Sequence, residues 1–352
     1  MKDIKDIKKE QKNQKNQKEN ITVSDFRKFA KPGSIHLNAE DIITATDEEK
    51  QQLFTMRESV TYWKDAFKRF KHNKIAMVSL IIILLIIAFA FIGPLFSPYS
   101  YDQQIRGSES LKPCLEHPFG TDRIGRDMLV RNMIGARISL TIGFFCALIV
   151  VVIGTAYGAI SGYIGGIADN IMMRLLEILY SIPDILVIII LQIALKAPLS
   201  AMFPNSRLGS SVFSIFIAFA LLYWTNMGRM VRGQVLFLKE MEYVTAAKAM
   251  GAKSGHIIRK HLIPNCVGVI MVTAVFQIAM AIFVESFLSY IGLGVSPPMA
   301  SLGSLCSDAL PGIKSYPYLL FIPAILISLI ILSFNMVGDG LRDALDPRLR
   351  SK

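Results

Sequence analysis

EYVTAAKAMGAKSGHIIRKHLIPN, residues Glu242 to Asn265, is a polar, basic interruption between two long apolar runs. It reads as two short helices joined at Gly251. Thr245–Met250 is rich in Ala and Lys, both good helix formers. Gly251 stands where a helix ends on a left-handed residue, a conformation that glycine adopts without steric cost. Ser254 is placed to cap the next turn, and Pro264 suits the first turn of the helix after it. Ala246, Ala247 and Ala249 leave a thin helix surface that another protein can approach closely. Helix physics alone also allows a plain connecting loop between two buried helices.

The surroundings decide what kind of chain carries this loop. Of 352 residues, 52% are hydrophobic and only 18% are charged, a balance suited to a chain that crosses a membrane several times. The net charge of +11 flanks the apolar runs instead of forming a separate basic domain, so it points to a membrane face and not to nucleic acid. Six apolar runs fall at about 75–96, 138–160, 175–195, 212–233, 266–290 and 317–338. Each is close to the roughly 20 residues that span about 30 Å of hydrocarbon as a helix. The third run carries Arg174, Glu177 and Asp184, with Pro183 in its middle, and Pro183 and Gly228 are sites where a helix can bend.

Lys and Arg placement sets the expected orientation. Arg229, Arg232, Lys239, Lys248, Lys253, Arg259 and Lys260 lie in or beside the loop between the fourth and fifth runs, and the stretch before the first run is basic too. With Arg342, Arg348, Arg350 and Lys352 at the other terminus, this places both termini and the loop in the cytoplasm of a cell whose plasma membrane holds the chain. Residues 97–137 oppose that assignment with Arg106, Lys112, Arg123, Arg126, Arg131 and Arg137, nearly balanced by acidic neighbours.

The expected organisation is a polar cytoplasmic tail over 1–55, an amphipathic interfacial helix over 56–74, and a first span with its outer loop over 75–135. A helical core over 136–341 and a short cytoplasmic tail over 342–352 follow. The Lys, Gln and Asn run of residues 1–20 has too little apolar content to offset its conformational entropy and is expected to be disordered. Met56, Val60, Trp63, Phe67 and Phe70 share one helical face, with Lys64, Lys68, Arg69 and Lys71 around it.

Nothing in the chain reads as a catalyst. No Gly-Lys dipeptide occurs, so there is no phosphate-binding loop of the GxxxxGK[ST] type. The histidines His36, His72, His117, His256 and His261 show no metal or triad spacing, and Cys114, Cys146, Cys266 and Cys306 show no C-x-x-C pair. Pairing of Cys114 with Cys306 is left open. No cofactor or metal is expected. Polar groups within spans are functional candidates by default. Gln277 and Glu285 in the fifth run are candidates for a pathway, although Glu285 near the run's end suits snorkelling equally. Asn226, Arg229 and Asn335 are candidates for a gate.

Four segments resemble one family. Glu242, Tyr243, Ala246, Ala247, Gly251, Ala252, Ile257, His261, Pro264 and Asn265 follow the EAA loop of permease subunits of bacterial ABC importers. The chain departs from the general pattern at His261, Tyr243 and Val244, in the manner of the dipeptide, oligopeptide and nickel branch. PFGTDRIGRDMLVRNMIGARISLTIG, Pro118–Gly143, resembles that family's segment before the second span, where Asp122 and Asp127 can cap or pair with Arg126 and Arg131. SFLSYIGLGVSPPMASLGSL, Ser286–Leu305, resembles another, with Leu302 in place of its usual Trp. FNMVGDGLRDALDPRLR, Phe334–Arg350, resembles the family's C-terminal end.

The resemblance implies an all-α fold of six transmembrane helices, the type I importer (MetI-like) permease fold. It implies a second homologous permease, two cytoplasmic ATPase subunits, an extracytoplasmic peptide-binding lipoprotein and oligopeptide or dipeptide cargo. The Glu242–Asn265 loop would dock on an ATPase. A nickel importer is the neighbouring expectation within the family. An ion-coupled secondary transporter predicts an inverted repeat and charges at mid-membrane, and a structural scaffold leaves the loop unexplained.

Overall fold

The computed structural model describes residues 62–203, 209–295 and 299–346. The expectations for the tail over 1–55, for Met56 and Val60, and for Arg348, Arg350 and Lys352 lie outside them. Every named element is helical: α1 Tyr62–His72, α2 Lys74–Phe91, α3 Met128–Ile164, α4 Gly166–Ser181 and α5 Asp184–Met202. α6 Gly209–Ala218 passes through a π-helical turn, Phe219–Tyr223, into α7 Trp224–Leu238. The loop carries α8 Glu242–Ala249 and α9 Ser254–Ile257, then a second π-helical turn, Ile258–Leu262, leads into α10 Ile263–Tyr290. α11 Leu302–Ala309 and α12 Tyr318–Leu345 complete the bundle.

Among the described residues, six segments are long and apolar enough to cross a membrane: Lys74–Leu95, Met128–Ile164, Asp184–Met202, Ser210–Leu238, Ser254–Tyr290 and Tyr318–Leu345. The chain is an all-α, multi-pass membrane protein. The third span departs from its expected place at 175–195. The helix is broken between Ser181 and Asp184, where Ile182 and Pro183 are extended with ψ of 132° and 113°. A proline disfavours helical backbone at its predecessor, and Ile182 leaves the helix here, whereas the residues before Pro198 and Pro323 stay helical. The apolar run hid a joint between two helices.

α1 and α2 are separated at Asn73, whose side chain accepts a bond from the Ala76 N–H and caps α2. Trp63 and Phe67 are exposed, and the Tyr62 hydroxyl donates to the Leu345 carbonyl at the end of α12. Asp127 caps α3 in the same way, accepting from Val130 N–H at 2.9 Å. The Cys114 and Cys306 thiols are both free, the first exposed and the second buried.

The bundle is held by close helix contact in place of large apolar ridges. Gly154, Gly158 and Gly162 recur every four residues along α3 and face α7. A methyl group at Gly154 would lie 2.6 Å from Met227 Cβ, one at Gly162 would lie 2.9 Å from the Arg232 carbonyl oxygen, and one at Gly158 would collide with the Gly228 carbonyl. Between helices in lipid, dispersion and backbone approach replace the hydrophobic driving force, and small residues permit both. Ile142, Cys146, Val150, Met227, Val231 and Val235 fill the seam on either side.

Gly158→Val should therefore force α3 and α7 apart. The expected cost is about 1–3 kcal/mol or more, the range for overpacking. Gly233→Ala, where an added methyl meets nothing within 4 Å, serves as the control. Thermal unfolding of the detergent-purified protein should show a lowered midpoint for the first and little change for the second.

Candidate functional site

The loop is built on its buried side and open on the other. Val244, Ala247, Ile257 and Leu262 are buried and join the main core, while Glu242, Tyr243, Ala246, Gly251, Pro264 and Asn265 are exposed. Ala252 and His261 are half-buried. Two backbone bonds close α8: Gly251 N–H donates to Lys248 O at 2.9 Å and Ala252 N–H to Ala247 O at 3.1 Å. That pair is the Schellman arrangement, and it requires the left-handed residue between them. Gly251 has φ of +80°.

Ser254 does not cap α9. Lys253 occupies the capping position and Ser254 is the first helical residue. Pro264 falls in the first turn of α10. It lies two residues beyond the π-helical turn, in the first turn of a helix, where a residue with no N–H to donate is tolerated.

The loop is braced within itself and tied to α3 by one contact. The Asn265 amide donates to the His261 carbonyl at 2.6 Å and to the Tyr243 hydroxyl at 3.3 Å. The Tyr243 phenol is pushed up from its ordinary pKa by burial and then by Cys266, so it stays neutral. The Lys248 ammonium sits 5.6 Å above the Tyr163 ring, which ties α8 to the end of α3.

Inside the bundle, a cavity of about 850 Å³ opens between the α4–α5 joint, α7, α10 and α12. Asn226, Gln277 and Asn335 line it, as do Asp184 and Tyr223, which sequence reasoning did not single out as a pair. Arg229 does not line it; its guanidinium lies 4.1 Å from the Tyr180 ring centre, and Tyr180 is part of the wall.

Glu285 is elsewhere. It is fully buried, so it neither reaches an interface nor lines this cavity. Its carboxylate accepts bonds from Ser139 of α3 at 2.8 Å and Ser289 of α10 at 2.7 Å. Ser289 at i+4 was visible in the sequence; Ser139 was not.

The end opposite the loop carries its own polar cluster. Gly120 and Gly125 take φ of +74° and +77° in the turns before α3. Asp122 pairs with Arg126 at 2.6 Å and more loosely with Arg131 at 3.7 Å. Asp127 pairs with buried His117 at 2.7 Å instead of with an arginine. At the loop-bearing end, Arg232 of α7 donates to Asp169 of α4 at 3.0 Å, and Ser161 of α3 donates to the same carboxylate. That pair anchors α4 below its joint. Among the described residues, no group of three or more His, Cys, Asp or Glu side chains is arranged to hold a metal ion.

These features define a polytopic membrane protein with a largely apolar cavity that carries a few polar side chains, and an exposed helix–glycine–helix loop. The chain belongs to the family described as binding-protein-dependent transport system inner membrane component, whose model matches residues 154–351. Residues 61–113 match the N-terminal transmembrane domain of oligopeptide transport permease C.

Over 294 residues it is 47% identical to the oligopeptide transport system permease protein OppC of Bacillus subtilis, covering 84% of this chain and 92% of that protein. It is 46% identical to the dipeptide transport system permease protein DppC of the same organism, covering 84% and 88%. It is 42% identical to OppC of Escherichia coli, covering 83% and 93%. Among solved structures, a chain of the inward-facing MetNI methionine ABC transporter is similar with 20% identity and a TM-score of 0.47, covering 62% of this chain and 96% of that one.

The Asp169–Arg232 pair yields a stability prediction. Arg232→Met leaves a buried carboxylate without its cation, which should cost roughly 1–3 kcal/mol, less than a fully buried pair because Arg232 is 30% exposed. Asp169→Asn in the same chain should recover most of that loss, as read by thermal unfolding of the two single variants and the double variant.

Proposed function

We propose that this chain is one of two permease subunits of an ATP-driven importer of oligopeptides or dipeptides, with the cavity as its half of the translocation path. The observation that carries the reading is the loop: two short helices locked at Gly251, buried on one face by Val244, Ala247 and Ile257 and exposed on the other. A rigid, exposed, small-residue surface fixed to the helices that wall the cavity suits the docking of a cytoplasmic ATPase. ATP-driven movement there would bias the cavity between two openings in proportion to its differential binding of the two states. Hydrolysis belongs to the ATPase subunits in this reading. Peptide is favoured over nickel by the names of the relatives. An extracytoplasmic binding lipoprotein would deliver cargo to the opposite face.

Orientation is tested first. With the native cysteines replaced, Lys253→Cys should react with a membrane-impermeant thiol reagent in inside-out vesicles and not in intact cells. Labelling in intact cells would put the loop on the wrong side for an ATPase.

Coupling is tested at Gly251. A methyl group there meets nothing within 4 Å, so the penalty for Gly251→Val is conformational, about 1–3 kcal/mol for a branched residue at positive φ. That is small against a six-helix bundle and comparable to a coupling free energy. Membrane abundance should be normal, while peptide uptake and transport-linked ATP hydrolysis are lost together. Gly251→Asn, which tolerates the left-handed region, should retain much of both. Wild-type uptake by a normally produced Gly251→Val protein would remove the coupling role from this loop.

A further inference from the structure

The helix that precedes the first span has three distinct sides. α1 reads YWKDAFKRFKH, and buried Ala66 with half-buried Phe70 forms the side that meets the bundle. Trp63 and Phe67 are 49% and 70% exposed, and one helical turn separates them, so they make an aromatic stripe. Lys64, Lys68 and Lys71, spaced by four and three residues, make a second stripe beside it, and all three are exposed. Arg69 is occupied by Asp65 at 3.1 Å. Among the described residues, no carboxylate pairs with any of the three lysines.

The place of α1 decides what these stripes meet. The first span begins at Lys74, two residues after α1 ends, so α1 starts from the edge of the hydrocarbon. It is also held there. The Tyr62 hydroxyl donates to the Leu345 carbonyl at 3.1 Å, and Phe70 Cε2 lies 3.5 Å from where a methyl group on Gly340 would sit. The same Tyr62 hydroxyl flanks Gly268, early in α10 and just beyond the loop. Aromatic rings at a hydrocarbon edge seat at headgroup level, and cations beside them meet the charge of anionic lipid.

We infer that the outer side of α1 binds anionic phospholipids of the leaflet on the loop-bearing side of the bundle. Trp63 and Phe67 enter the layer between headgroups and acyl chains, and Lys64, Lys68 and Lys71 take the headgroup charge. Zwitterionic lipid offers the rings the same seat but gives the lysines no net charge, so selectivity comes from the lysines. Because the inner side of α1 is fixed to α12 and α10, bound lipid steadies the ends of two helices that wall the cavity.

The test uses the full-length protein in phosphatidylcholine nanodiscs in which a fixed share of lipid is brominated high on its acyl chains. The brominated lipid is either phosphatidylcholine or phosphatidylglycerol. Fluorescence of wild type minus that of Trp63→Phe, which retains Trp224, reports Trp63 alone. Both lipids should quench Trp63, and phosphatidylglycerol should be preferred at least about fivefold, the effect of a single lysine at an anionic surface. Replacing Lys64, Lys68 and Lys71 together by Gln should bring the two lipids close to parity while leaving quenching by phosphatidylcholine unchanged. Salt at about 1 M, where screening acts within about 3 Å, should do the same to the unaltered chain.

Absence of Trp63 quenching by either lipid overturns the inference, because protein then covers this side of α1. Equal quenching of wild type by the two lipids overturns it, and so does a preference that survives the triple substitution. The salt series needs no substitution, so a variant that failed to fold would still leave a preference that salt does not weaken as contrary evidence. Transport is not read at any step, so loss of the importer reading would leave this result standing.

Discussion

Backbone-to-backbone approach between α3 and α7 is the constraint on which the rest of this bundle depends. Gly154, Gly158 and Gly162 allow α7 to lie against α3 closer than any side chain would permit. Everything at the loop-bearing end inherits that spacing. Arg232 can reach Asp169 because α7 is held over the end of α3, where Ser161 meets the same carboxylate. Lys248 can reach Tyr163 for the same reason. The loop is thus an extension of a closely packed helix pair.

The cavity follows from the opposite choice. Where α3 and α7 are sealed by glycine, the wall formed by the α4–α5 joint, α7, α10 and α12 holds Asn226, Gln277, Asn335 and Asp184. Each polar group in such a wall must find a partner or face water or cargo. Glu285 shows the alternative: a buried carboxylate away from the cavity, satisfied by hydroxyls from two helices. Two acidic residues in different spans are handled in different ways, one sealed by serines and one at the cavity wall, bonded to the Tyr223 hydroxyl.

Local features were legible in the sequence and cross-helix ones were not. The helix–glycine–helix reading of 242–265 depended on composition and one glycine within a few residues, and the left-handed Gly251 agrees with it. Six apolar runs needed only length and hydropathy, and the described residues hold six such spans. The third span was misplaced because hydropathy averages over Pro183, although the proline and the charges around it were in plain view. Ser254 was read as a cap because serine prefers that position, but the chain turns into the helix one residue earlier, at Lys253. The Asp169–Arg232, His117–Asp127 and Ser139–Glu285 contacts join residues 63, 10 and 146 positions apart. No periodicity reports a partner on another element.

The unbroken length of α3 has a mechanical meaning. Its 37 residues make a rod of roughly 55 Å, well beyond the hydrocarbon thickness of about 30 Å. One end is tied to α8 through Tyr163, and near the other Arg131 reaches Asp308 of α11. The third span has a joint at Ile182 and Pro183 in place of such continuity. α3 offers no break at which a tilt could be taken up, whereas α4 ends at a joint beside the cavity. Rod and joint are linked through the start of α4, where Tyr157 and Ser161 of α3 bond to Met172 and Asp169.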